Sequence, residues 1–150
     1  MYQLLLFVHV ICAVIWVGGA FYAQLLSIRA GRSDDPMALP RLGREIEFLG
    51  SRVFTPAAVL LFLAGAAMTL RAWSFGQLWV AASVALWIVS AVAGAAYLAP
   101  RARRVSALFD AEGPESVAGR RIIGRMFLVS RLELVSFAIV IALMVFKPGS

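Results

Sequence analysis

The sequence predicts an all-α integral membrane protein, an antiparallel four-helix bundle with both termini outside, and three observations carry that reading. Apolar residues make up 62% of the 150-residue chain and charged residues only 15%. A water-soluble domain of this size cannot hide so much apolar surface. The apolar residues gather in four runs, about residues 4–28, 53–70, 78–98 and 126–146, each close to the roughly twenty residues a helix needs to cross a ~30 Å hydrocarbon layer. The cations are lopsided. Eleven of the fourteen Lys and Arg lie in the connectors 29–52 and 99–125, Arg131 just inside the fourth run makes twelve, and only Arg71 and Lys147 lie on the other side. By the positive-inside rule the connectors are cytoplasmic. A single transmembrane domain accounts for residues 1–150. Cations in short loops beside apolar runs are topology signals rather than a phosphate-tracking face, so no nucleic acid is expected as a partner despite the net charge of +6.

The first run, Leu4 to Ile28, has no Asp, Glu, Lys or Arg and holds the only histidine, His9, and the only cysteine, Cys12. It is too long for a signal-peptide core and has no basic residue before it, so it is expected to stay as the first span. One cysteine rules out an internal disulfide. In the connector 29–52, Leu39, Leu42, Ile46, Leu49 and Val53 recur at helical spacing. This predicts an amphipathic helix lying on the membrane surface. Pro56 then falls in the first turn of the second span, where its missing N–H costs little. Only residues 71–77 join the second and third spans, which predicts a tight antiparallel pair, and Trp73, Phe75 and Trp79 read as an interfacial aromatic belt. In the third span Ala81 with Ala85, Ser90 with Gly94, and Ala91 with Ala95 offer small residues four apart for close helix packing. After Pro100 the chain is polar to Arg125, with six arginines and three acids, Asp110, Glu112 and Glu115.

Few residues can carry chemistry. His9, Met68 and Met144 each fall within about two turns of the outer surface. An ionisable group at that depth is a functional hypothesis by default. Imidazole with thioether is an axial pair for b- or c-type haem, and the same donors, with Cys12, suit copper. No Cys-x-x-Cys-His is present, so a haem would be non-covalent. The plainer alternatives are methionines filling gaps and a histidine bonded across helices. His9, Ala13, Trp16 and Ala20 share one helix face with Cys12 and Gly19 beside it, and small residues there suit either a flat macrocycle or a neighbouring helix. On the outer side only Arg71 and Lys147 are available to haem propionates. Arg131 and Glu133 lie inside the fourth span but two residues apart, so they do not face each other. Glu133 is expected to meet Arg52, Tyr97 or Tyr22, either as a proton or substrate contact or as a topological anchor. No P-loop, Gly-x-Ser-x-Gly, metalloprotease or dinucleotide motif is present, and one membrane-embedded histidine leaves no Ser/His/Asp set.

The run His9-Val-Ile-Cys-Ala-Val-Ile-Trp16-Val-Gly18-Gly19 resembles the first helix of a superfamily of small bacterial membrane proteins. That superfamily includes HemJ-type protoporphyrinogen oxidases, CopD-like copper proteins and a family of predicted integral membrane proteins without assigned function. Glu47 to Ala58 with Gly65, and Arg131-Leu-Glu133 through Lys147-Pro148, are similar to its second and last helices. The resemblance is nearer to the unassigned family, because Ala23 to Arg29 and Ala96-Tyr97-Leu98 lack the oxidase endings. It implies haem b ligated by His9, with Met68, Met144 or the His9 of a second copy as the other ligand and Trp16 and Gly19 beside the macrocycle. The expected role is redox or porphyrin-related in the bacterial inner membrane, with a porphyrin or quinone as small-molecule partner and a homodimer as one assembly. The alternatives are copper handling through His9, Cys12, Met68 and Met144, or a non-catalytic accessory subunit.

Overall fold

Hydrocarbon offers no partner to backbone N–H and C=O groups, so each apolar run must close its own hydrogen bonds as a helix. In the computed structural model, which describes residues 1–149, every run does so. Helix α1 covers Tyr2–Gly31, α2 Ala38–Leu49, α3 Thr55–Ala72, α4 Leu78–Val92, α5 Ala99–Glu112 and α6 Val117–Phe146. Wider π-helical turns at Gly50–Phe54 and Ala93–Leu98 join α2 to α3 and α4 to α5. The chain is therefore four rods, two of them 35 residues long, Ala38–Ala72 and Leu78–Glu112. At about 1.5 Å per residue these reach about 50 Å, well beyond a ~30 Å hydrocarbon layer.

The polar connectors are thus mostly helix, and they extend the bundle past the membrane at its arginine-rich end. Pro56 and Pro100 begin α3 and α5 inside continuous rods rather than at free helix starts. Neither proline can donate to the carbonyl four residues back. The preceding π-turns absorb the defect: the Thr55 N–H reaches Gly50 O and the Ala99 N–H reaches Gly94 O, each five residues back. The Thr55 hydroxyl also donates to Gly50 O at 2.8 Å.

The expected surface helix exists as α2, but its apolar stripe faces protein rather than lipid. Leu42, Ala102, Val105, Phe109, Ile123 and Met126 form one buried cluster, with Leu39 and Ile46 packed against it. Val105 is fully buried at its centre. Gly43 lets α2 approach α5, since a Cβ there would come within 3.2 Å of Val105 Cγ1. Gly119 does the same for α6, where a Cβ would meet the Phe109 ring at 3.0 Å. The turn between α5 and α6 uses Gly113 at φ 83°, and the Ser116 hydroxyl caps α6 by accepting from the Gly119 N–H at 3.1 Å.

Within the membrane the pairing departs from chain order. α1 packs along α3 and against α6, and α4 packs on α6. The expected tight pair of second and third spans does not form: α3 and α4 touch sparsely, and the close packing is between α2 and α5, the helices of the connectors. Bulk keeps them apart: Phe62 stacks on Trp87 with centroids 4.3 Å apart. The small residues of the third span serve its packing only in part, through buried Ser90 and half-buried Ala91 and Gly94. Ala81, Ala85 and Ala95 point outward, while Trp79, Val80, Ser83 and Ser90 are buried. Apolar side chains such as Phe7, Val14, Leu63, Val89 and Val135 are exposed around the spans, as lipid contact requires.

Replacing Gly43 by Leu is expected to overpack the α2–α5 contact at a cost of about 1–3 kcal/mol, seen as a clear drop in unfolding temperature by intrinsic fluorescence in detergent. Gly124→Ala, at an exposed helical position with open space around its Cβ, is expected to leave that temperature equal or higher.

Candidate functional site

His9 lies on the face of α1 that meets α3. Its Nδ1 is 3.0 Å from the carbonyl oxygen of Leu61, 52 residues away. A carbonyl only accepts, so in the neutral ring Nδ1 carries the proton and Nε2 keeps its lone pair. The ring reaches that carbonyl because residue 65 is glycine: a Cβ there would sit 3.0 Å from His9 Cε1 and 3.1 Å from Nδ1. One turn further, the Thr69 hydroxyl donates to Gly65 O at 3.0 Å. The cross-helix hydrogen bond that stood as the plain alternative for His9 is present. It occupies one nitrogen, and Nε2 makes no hydrogen bond among the described residues.

The other candidate residues separate into neighbours and bystanders. Met68 follows Gly65 by three residues and, at about 100° per residue, falls within about 20° of Leu61 on the same face of α3. It is half-buried, as is Met144 near the same end of α6. Cys12, one turn from His9, is buried. Trp16 packs on Phe137 of α6, centroids 4.7 Å apart and rings tilted by 50°. Gly19 does not leave a bare patch for a flat ring, because the Phe54 ring fills the space its Cβ would take. The π-turn that carries Phe54 makes that contact, and the α1 sequence gives no sign of it.

Glu133 lies in the buried stripe of α6, in register with Gly119, Ile123, Met126 and Phe137. It forms no hydrogen bond or ion pair among the described residues, so the expected partners are corrected. Arg52 and Arg131 are exposed. Tyr97 instead carries the Arg101 guanidinium 3.5 Å above its ring, and its carbonyl accepts from Arg101 at 3.3 Å. The aromatic belt also changes. Trp79 is buried and meets Trp73 edge to face at 5.2 Å, with Lys147 Nζ 4.4 Å from the Trp73 centroid. Lys147 is thereby engaged at the outer end, while Arg71 is exposed.

A set of polar atoms went unread in the sequence. Trp79 Nε1, Ser83 Oγ, Trp87 Nε1 and Ser136 Oγ are buried without hydrogen-bond partners among the described residues, as is the amide of Gln24. The available signal was the four-residue repeat 79, 83, 87, which puts two indoles and a hydroxyl on one face of α4. Counted from the outer helix ends, Ser83, His9, Gly65, Trp87 and Ser136 all lie roughly 8–15 Å deep. Only part of the buried polar set shares the depth of His9, since Trp79 lies at the outer end of α4 and Gln24 toward the arginine-rich end of α1. No three His, Cys, Asp or Glu gather as a metal-binding set among the described residues.

Four membrane-length helices around a half-buried imidazole define a multi-pass integral membrane protein. The chain belongs to the family described as predicted integral membrane protein (DUF2269), whose model matches residues 3–148. No curated protein and no solved structure matches it.

Glu133→Gln keeps the side-chain volume and removes an ionisable group that has no ion-pair partner. Unfolding in detergent is expected at the same or a higher temperature. A marked fall would show that the carboxylate is held by a charge.

Proposed function

We propose that this chain is a haem-binding protein of the bacterial inner membrane, with His9 Nε2 as axial ligand and a redox or porphyrin-related role. The observation that supports the reading is the Nδ1–H donated to Leu61 O at 3.0 Å beside Gly65. Histidines that ligate metals characteristically give their other N–H to a carbonyl or carboxylate, which sets the tautomer, holds the ring and raises the basicity of the ligating nitrogen. The donor set suits a non-covalent b-type haem. Met68, on the Leu61 face of α3, is the favoured second ligand, with Met144 or the His9 of a second copy in a homodimer as the others. A bound haem would supply a one-electron iron centre. The chain's part is to orient one imidazole and keep water from it, and Arg71, exposed at the outer end and without an ion pair among the described residues, is the cation assigned to a propionate. A porphyrin or a quinone is the redox partner this reading assigns.

A second reading, copper handling by His9, Cys12, Met68 and Met144, draws support from the burial of Cys12 one turn from His9. Absorption spectra of the purified protein, oxidised and dithionite-reduced, separate the two. The haem reading expects a Soret and an α band that vanish in His9→Ala. In Gly65→Ala the bands should weaken or shift, because the added methyl displaces the ring from Leu61 O. A colourless protein from haem-supplied cells overturns it, and copper analysis then decides between a metal handler and an accessory subunit.

A further inference from the structure

Between α1 and α2, at the arginine-rich edge of the membrane, lies an open groove of about 500 Å³ lined by Tyr22, Leu26, Arg44, Glu45, Phe48 and Leu49. Its lining has two characters. Leu26, Phe48 and Leu49 make an apolar floor, and Tyr22 and Phe48 are well exposed. Arg44 and Glu45 place one charge of each sign on the same wall. From this composition we propose that the groove is a binding site for a zwitterionic phospholipid with a primary ammonium head, phosphatidylethanolamine, independently of any cofactor at His9.

Arg44 gives one nitrogen to Asp110 at 3.1 Å. A guanidinium has five N–H donors in a planar fork, so others remain for a phosphodiester. Glu45 has no ion pair among the described residues, because the cation one turn before it, Arg41, is taken by Asp35 at 2.9 Å. Its carboxylate can accept from an ammonium that has N–H groups to give. An anionic phospholipid would satisfy Arg44 and be repelled by Glu45. A choline head would carry the charge without a donor. Both charges of the ethanolamine head are matched.

The lipid tail also has a path, which sets a membrane lipid apart from a free phosphate ester. Tyr22, Gly18, Ile15 and Ile11 follow one line up α1 at steps of three and four residues, all exposed. A Cβ at Gly18 would have nothing within 4 Å, so that line is open beside the groove. Exposed apolar side chains running from a polar niche at headgroup level toward the membrane centre fit one acyl chain.

Native mass spectrometry of the full chain in detergent, titrated with phosphatidylethanolamine, phosphatidylcholine and phosphatidylglycerol of identical acyl chains, tests the assignment. The ethanolamine lipid is expected to be retained about threefold to fivefold more than either of the others, the range one exposed charge-assisted contact can supply. Glu45→Gln is expected to bring ethanolamine retention down to the choline level. Asp110→Asn, which frees Arg44 without altering the groove, is expected to keep the preference. Equal retention of the three lipids, a preference for phosphatidylglycerol, or an unchanged preference in Glu45→Gln overturns the proposal. Glycerophosphoethanolamine without acyl chains is expected not to compete, and displacement by it would assign the site to a soluble ester.

Discussion

Lipid tails are as apolar as leucine, so hydrocarbon supplies no hydrophobic force to gather these four helices. Water supplies one only beyond the bilayer. The structure follows that constraint: its continuous apolar core, around Val105, lies where α2, α5 and the start of α6 leave the membrane. Arginines clothe this extension and apolar side chains fill it, which is the ordinary arrangement of a soluble helical bundle. The spans above it are held by the extension below and by a few specific contacts.

Those contacts are a histidine on a bare stretch of helix, Trp16 on Phe137, and Phe62 on Trp87. The two π-turns connect the regimes. They accept Pro56 and Pro100 within unbroken rods, and they lie where the close pairing of α2 with α5 gives way to the separation of α3 from α4. Separation leaves room for large side chains in the outer half, and Ser83, Trp87 and Ser136 lie at the depth of His9. Buried polar groups without partners are expensive at that depth.

Much of the candidate site was legible as composition and little of it as geometry. His9 stood out because an imidazole in an apolar run has no ordinary explanation. Its partner could not be read, since Leu61 contributes a backbone carbonyl, which every residue has, and Gly65 contributes the absence of a side chain. Gly19 looked like the more telling glycine and is filled by Phe54. Glu133 was noticed for its charge, but its isolation depends on where Arg52 and Tyr97 point. Trp79 reads as a surface anchor because aromatic residues beside a short loop usually are, and its burial beside Trp73 decides otherwise.

By itself the sequence determined the four crossings, their antiparallel order and the end at which the arginines collect, because length, apolarity and charge asymmetry act locally on each segment. Tertiary structure alone decided which helices touch. The second span pairs with the first along its length and meets the third only sparsely, as where Phe62 stacks on Trp87, since contact in lipid depends on which side chains are small or bulky at a shared depth. It also decided that the polar connectors are helices with a buried core, because their apolar stripes had two possible partners, lipid or each other. Water at the membrane surface favours whichever arrangement hides more apolar area, and two stripes facing each other hide both.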